Sequence, residues 1–115
     1  MNTPNILVNQ ISVDFVNWLN ACNTLLTEYM AKLYPNNPKE HLEAVQGSRY
    51  IKVCKQRENE TTSRGAAWAF IDRTNGDVLK PASWAAPARH ARGNIFDEHK
   101  GMAHISAYGP AYLRG

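Results

Sequence analysis

Residues 66–93 read AAWAFIDRTNGDVLKPASWAAPARHARG. Two strand-forming runs, Ala66–Arg73 and Asp77–Ser83, flank Asn75-Gly76, the dipeptide that most strongly signals a hairpin turn. Two registers fit. A two-residue type I′ turn pairs Ile71 with Lys80, whereas a type I turn with Gly76 in a bulge pairs Ile71 with Leu79 and Arg73 with Asp77. The second is favoured, because apolar and opposite-charge pairs across a ladder each add stability. Pro81 has no N–H for a ladder, so the second strand lies at an edge or ends there.

Upstream, Ser48–Gln56 (SRYIKVCKQ) alternates and predicts a third strand. Ile51 and Val53 share one face with Arg49 and Lys55 beside them, and Tyr50, Lys52 and Cys54 share the other. The polar run Arg57–Ser63 (RENETTS) reads as an exposed connection. Before it the period becomes helical. Phe15, Leu19, Cys22, Leu26, Tyr29 or Met30, and Leu33 recur at three- and four-residue steps, and Val16, Trp18 and Leu25 widen the stripe. A helix over Ser12–Leu33 follows, with Ser12 as its cap and Asp14 near its positive end. Asn37 as a cap, Pro38 in the first position, Glu40 to return a capping bond and Gly47 as a stop predict a second, short helix over Pro38–Gln46, with Leu42 and Val45 inward.

Downstream, Ala86–Gly93 predicts a short helical turn, with Pro87 at its start and Arg89 and Arg92 on its outer face. Residues 94–115 give few signals, but Ile95, Phe96, Ile105, Tyr108, Tyr112 and Leu113 are too apolar for a purely disordered end. The expected fold is α+β in a single domain, residues 1–115. An N-terminal helical hairpin (12–46) packs on a three-stranded antiparallel meander (48–83), and an irregular C-terminal wrap (84–115) follows.

Composition narrows the class. At 115 residues, with 43% hydrophobic and 20% charged, the chain can bury a core without disulfide or metal support and is not globally disordered. MNTPNILVNQ lacks the positive start of a secretory signal, and no apolar run approaches the ~20 residues of a bilayer span, so a soluble, cytoplasmic protein without membrane contact is expected. Cys22 and Cys54 fall on a helix and a strand and read as buried free thiols. The sequon Asn59-Glu60-Thr61 has no secretory route to its modifying enzyme. Net charge is +3 but uneven: residues 1–45 carry two cations against four acids, residues 46–115 eleven against six. The basic part is C-terminal, which suits a polyanion partner.

The block FIDRTNGDVLKPASWAAPARHARGN and, less specifically, AYGPAYLRG resemble a recurrent pattern in small uncharacterised proteins of tailed bacteriophages. The likeness covers about the C-terminal half and none of the long helix. It implies a viral origin and expression in a bacterial cytoplasm, and brings no activity, cofactor or catalytic residue with it.

Function is sought among three constellations. From Val78 to Phe96 the chain carries Lys80, Arg89, His90 and Arg92 and no Asp or Glu, with Trp68 and Trp84 nearby. Cations that neutralise phosphates beside an aromatic that stacks on a base suit DNA or RNA, the first expected partner. The competing reading makes Trp84 core and leaves the arginines solvated or paired with Asp97 and Glu98. His90, Asp97, His99 and His104 are the only metal-ligand set worth naming, but their spacing matches no zinc finger or HExxH pattern, so no metal or other cofactor is expected. Cys22 with a histidine, or Asp72 with Asp77, are the sole catalytic pairs to consider. The cysteine fits the core stripe and the aspartates flank a turn, so no enzyme is expected. Finally, the helix face is broader than a three-stranded sheet covers. Burial of most of that face against the chain's own sheet is the first expectation; for the surplus, a homodimer through Trp18 and Leu25, or contact with a host protein, is the second kind of partner expected, and a monomer would instead fold the C-terminal tail, with Phe96, Tyr108 and Tyr112, back over it.

Overall fold

The computed structural model describes residues 3–58, 60 and 65–111, the first ten of them as backbone only. The fold is α+β. Helix α1 (Thr3–Leu33) is followed by a five-stranded antiparallel sheet of β1 (Glu40–Gln46), β2 (Tyr50–Arg57), β3 (Ala66–Asp72), β4 (Asp77–Pro81) and β5 (Pro87–Asn94). A two-stranded sheet of β6 (Ile105–Ser106) and β7 (Gly109–Pro110) closes the chain. The large sheet is a meander in chain order. The sequon and the apolar pair Tyr112 and Leu113 lie partly or wholly outside the described residues.

Three expected elements are corrected. The helix begins at Thr3, so Ser12 lies inside it rather than at its start. The predicted second helix is instead strand β1, paired with β2 over all seven of its residues from Glu40↔Arg57 to Gln46↔Ile51. Glu, Leu, Ala and Gln prefer a helix by tenths of a kcal/mol each, and a full ladder outweighs that preference. Asn23 of α1 fixes the strand from its outer side: Leu42 N–H donates to Asn23 Oδ1 (2.8 Å), and Asn23 Nδ2 donates to Leu42 C=O (3.2 Å). Gly47 then turns the chain into β2 rather than ending a helix, its N–H donating to Tyr50 C=O (2.8 Å). The helical turn expected at Ala86–Gly93 is strand β5, which pairs with β4 through two register shifts. Those irregularities accommodate Pro81 and Pro87, which face one another across the ladder.

The hairpin exists, but in neither of the two expected registers. Ile71 faces Val78 and Phe70 faces Leu79, which leaves residues 73–76 as a four-residue loop. Asp72 sets it. Its Oδ1 accepts from Thr74 N–H (2.9 Å) and Thr74 Oγ1 (2.6 Å), and its carbonyl accepts from Gly76 N–H (2.8 Å). Gly76 sits at φ +83°, and a Cβ there would meet Phe96 at 2.6 Å. Arg73 is drawn into the loop and does not pair with Asp77.

Phe15, Trp18, Cys22 and Leu26 form the buried stripe of α1 and face Leu42, Ile51, Val53, Ile71 and Val78 of the sheet. A bulge opposite Val53/Cys54 turns both Trp68 and Ala69 into this core. The C-terminal segment closes it: Trp18 Nε1 donates to Gly101 C=O and Trp68 Nε1 to Ala107 C=O, both at 3.2 Å. Of the two residues named for a dimer face, Trp18 is 2% exposed and Leu25 is half-buried against the core, with the C-terminal segment folded back over this side of α1, the arrangement expected of a monomer. The wrap is also more ordered than expected, since β6 and β7 pack on α1, β3 and β4.

Candidate nucleic-acid interface

Directly opposed residues of antiparallel strands share a face, so Lys52 of β2, Phe70 of β3 and Leu79 of β4 lie together on the side of the sheet away from the core stripe. Phe70 and Leu79 are only 2% and 6% exposed, although among the described residues no helix covers this side. The loop between β4 and β5 folds over them. Ser83 shapes that loop: its Oγ accepts from Ala85 N–H (3.3 Å) and Ala86 N–H (3.2 Å), while Ala82 and Ser83 donate their N–H groups to Ala86 C=O. Trp84 is carried down to a half-buried position with Lys52 Nζ 3.1 Å from its ring centroid.

A second cation–aromatic pair adjoins the first. The Arg49 guanidinium lies 5.3 Å from the ring centroid of Tyr50, whose ring meets Phe70 edge-on at 6.1 Å. Arg73 pins this end of the sheet, donating from Nη1 to Gly47 C=O (2.6 Å) and from its backbone N–H to Arg49 C=O (2.8 Å). Between the β1–β2 turn and the 82–86 loop lies a groove of about 410 Å³. Arg49, Tyr50, Lys52 and Phe70 line it, with no carboxylate among the described lining residues. The nearest acid, Asp72, is already engaged, since Arg49 Nη2 donates to its Oδ2 (3.2 Å). Burial alone pushes the Asp72 carboxyl upward, but the bonds from Thr74 and the Arg49 charge outweigh it and hold the group below the ordinary carboxylate range.

The residues singled out from sequence separate into two sets. Lys80 and Arg92 hold the C-terminal segment: Lys80 Nζ donates to Pro110 C=O (3.0 Å), and Arg92 Nε donates to Ala111 C=O (3.1 Å). Arg92 is buried, and burial followed by the Arg92 charge pulls the Lys80 ammonium below its ordinary value. Both are therefore poorly placed for phosphate. Arg89 and His90 stay exposed on the edge strand β5, and Trp84 packs on Lys52, which lines the groove. Sequence reading passed over Arg49, Tyr50 and Lys52 as binding residues. The alternation of SRYIKVCKQ does put Tyr50 and Lys52 on one face, but nothing local says that this face is left without a helix.

Among the described residues no three His, Cys, Asp or Glu side chains gather to hold a metal ion. Asp97, one of the four candidates, is spent on backbone N–H groups: Oδ1 accepts from His99 (2.9 Å) and Gly101 (3.0 Å), and Oδ2 from Asn94 (3.3 Å). Those bonds, the one from Gly101 first, hold its carboxyl below the ordinary range. Cys22 is fully buried, and burial pushes its thiol up to about 12, which removes the thiolate a nucleophile needs. Asp77 accepts from Asn94 Nδ2 (2.9 Å) while Asp72 serves the turn, so this pair is occupied as well. No helix among the described residues is long and apolar enough to cross a membrane.

Residues 1–111 match the profile of DUF7717, a family of unknown function. The chain belongs to DUF7717. That match spans α1 and both sheets, whereas the phage resemblance reached only the C-terminal half. No curated protein and no solved structure matches the chain.

Proposed function

We propose that this DUF7717 protein is a non-catalytic binding protein whose ligand is single-stranded nucleic acid, held on the groove side of the large sheet. One observation carries the reading: two stacked cation–aromatic pairs, Arg49 on Tyr50 and Lys52 on Trp84, border one groove whose described lining has no carboxylate. Such surfaces take single strands because cations meet phosphates while aromatic faces stack on any base. The exposed guanidinium of Arg49 and the ammonium of Lys52 meet successive phosphates, Tyr50 and Trp84 offer the stacking faces, and Arg89 and His90 extend the basic surface along β5. With the phage resemblance, the setting is an accessory protein in the cytoplasm of an infected bacterium.

Titration of a dodecamer of deoxythymidylate and one of uridylate at ~50 and ~200 mM salt tests this and separates DNA from RNA. Two phosphate contacts at about 0.7 counterions each imply an affinity loss of roughly sevenfold over that range. Lys52→Ala is expected to weaken binding roughly three- to tenfold and to flatten the salt slope by about one contact. Absence of binding at ~50 mM, or binding indifferent to salt, rejects the reading.

Arg92→Met separates this site from the basic segment as a whole. Losing two carbonyl bonds from Arg92, to Ala111 and His90, is expected to lower stability by about 1–2 kcal/mol, read by denaturant unfolding. Nucleic-acid affinity should stay within about twofold. A tenfold loss of affinity in a folded Arg92→Met protein would return the site to the basic segment itself.

A further inference from the structure

A second cleft lies away from the basic groove, between the C-terminal turns of α1 and the start of β1, and measures about 490 Å³. Thr27, Met30, Ala31 and Tyr34 form its helix wall, and residues 38–41 form the strand wall. Strand β1 is an edge of the sheet, so half its backbone groups point outward. The pattern of pairing shows which. Glu58 N–H donates to Lys39 C=O and Gly47 N–H to Tyr50 C=O, so odd-numbered residues of β1 face β2 and even-numbered ones face out.

Leu42 is one of the outward residues, and it shows what this edge accepts. The carboxamide of Asn23 donates to its carbonyl and accepts from its N–H, as a neighbouring strand's peptide group would. Two residues back, Glu40 turns its N–H and C=O to the same edge, and there the cleft opens beside Thr27 instead of another carboxamide. We propose that this cleft is a second binding site, taking an uncharged, extended peptide segment of a partner protein. One of its peptide groups repeats at Glu40 the pairing that Asn23 makes at Leu42, and an apolar side chain of the segment rests on Met30 and Tyr34.

Charge complementarity selects an uncharged occupant. The Glu40 carboxylate, buried beneath the cleft, is met by Arg57 Nε at 3.2 Å and Lys55 Nζ at 3.8 Å. His41 is joined to Glu43 at 2.7 Å. The remaining charged lining groups are one of each sign, Lys39 and Glu58. With Lys39 and Glu58 balancing, the cleft carries no net charge to favour a charged side chain over water, whereas an apolar one gains from burial.

Selection of a displayed pool of random hexapeptides on the full-length protein tests the proposal, with the Ala31→Trp variant as counter-target. Ala31 is exposed on the cleft wall, so the indole fills the cleft without touching the core, and circular dichroism of the variant checks that the fold is kept. The expected result is enrichment of uncharged, β-prone peptides on the wild type alone. A synthesised winner should slow hydrogen exchange at the Glu40 amide at least tenfold, and N-methylation of its paired peptide group should weaken binding at least tenfold. Failure to enrich above the Ala31→Trp background, preference for charged peptides, or unchanged exchange at Glu40 would each overturn it.

Discussion

Trp18→Asp is expected to leave the protein unfolded under conditions in which the wild type is folded. The indole is 2% exposed, packs against Phe15 at 5.9 Å and Trp68 at 6.1 Å between ring centroids, and donates its N–H to Gly101. Truncating a buried tryptophan costs about 3–5 kcal/mol, and an unpaired carboxylate in the vacated space adds several more. A domain of this size has about 5–15 kcal/mol to lose. Circular dichroism with size-exclusion chromatography makes the check. A helical, monomeric Trp18→Asp protein derived from a dimeric wild type would instead restore Trp18 to an interface between copies.

That expectation also marks where sequence reading stopped. The stripe Phe15, Cys22, Leu26 and the three central strands are legible because each element announces its own period, 3.6 or 2, within a dozen residues. What covers Trp18 is not local. Its cover comes from residues some eighty positions later, in a segment whose apolar residues have no period at all. The same limit explains β1 and β5. EHLEAVQ has good helix formers, and PARHARGN has a proline at its head and a glycine near its end. Both become strands because the exposed flanks of a three-stranded sheet gain more from pairing than the local preference loses.

The candidate site was half legible for a related reason. An acid-free basic segment is visible in a one-dimensional reading, but its division of labour is not. Lys80 and Arg92 differ from Arg89 only in reaching two carbonyls of the C-terminal segment, at Pro110 and Ala111, contacts that exist only once β7 has docked. Lys52 and Trp84 are 32 positions apart and meet because Ser83 curls the β4–β5 loop over β3. A cation is a binding residue only if folding leaves it exposed to a ligand, and that is settled by tertiary contacts.

Loss of the Asp97 carboxylate is expected to have the second largest effect, because this one side chain organises the turn that presents Gly101 to Trp18. Asp97 accepts the N–H of Gly101, and Gly101 in turn offers its carbonyl to the Trp18 indole. Gly101 itself sits at φ +79°, where a Cβ would lie 2.9 Å from the indole ring, so no other residue type fits as well. Asp97→Ala removes an acceptor for three backbone donors, and after allowance for solvent reaching this partly exposed turn a cost of about 2 kcal/mol is expected. The pH dependence has a definite sign. The carboxyl is held below its ordinary value in the folded state, so its contribution is complete above the unfolded value near ~4 and is lost as pH falls toward the folded one. Asp72, lowered in the same direction, contributes a parallel loss. Wild-type stability in urea should therefore decline with acid below about pH 4, and Asp97→Asn should start lower at neutral pH and decline less steeply. Equal acid limbs in the two proteins would show that Asp97 does not carry this linkage. A double-mutant cycle of Asp97→Ala with Trp18→Phe then asks whether the turn acts through the indole: coupling above about 0.5 kcal/mol is expected, since both groups meet at Gly101.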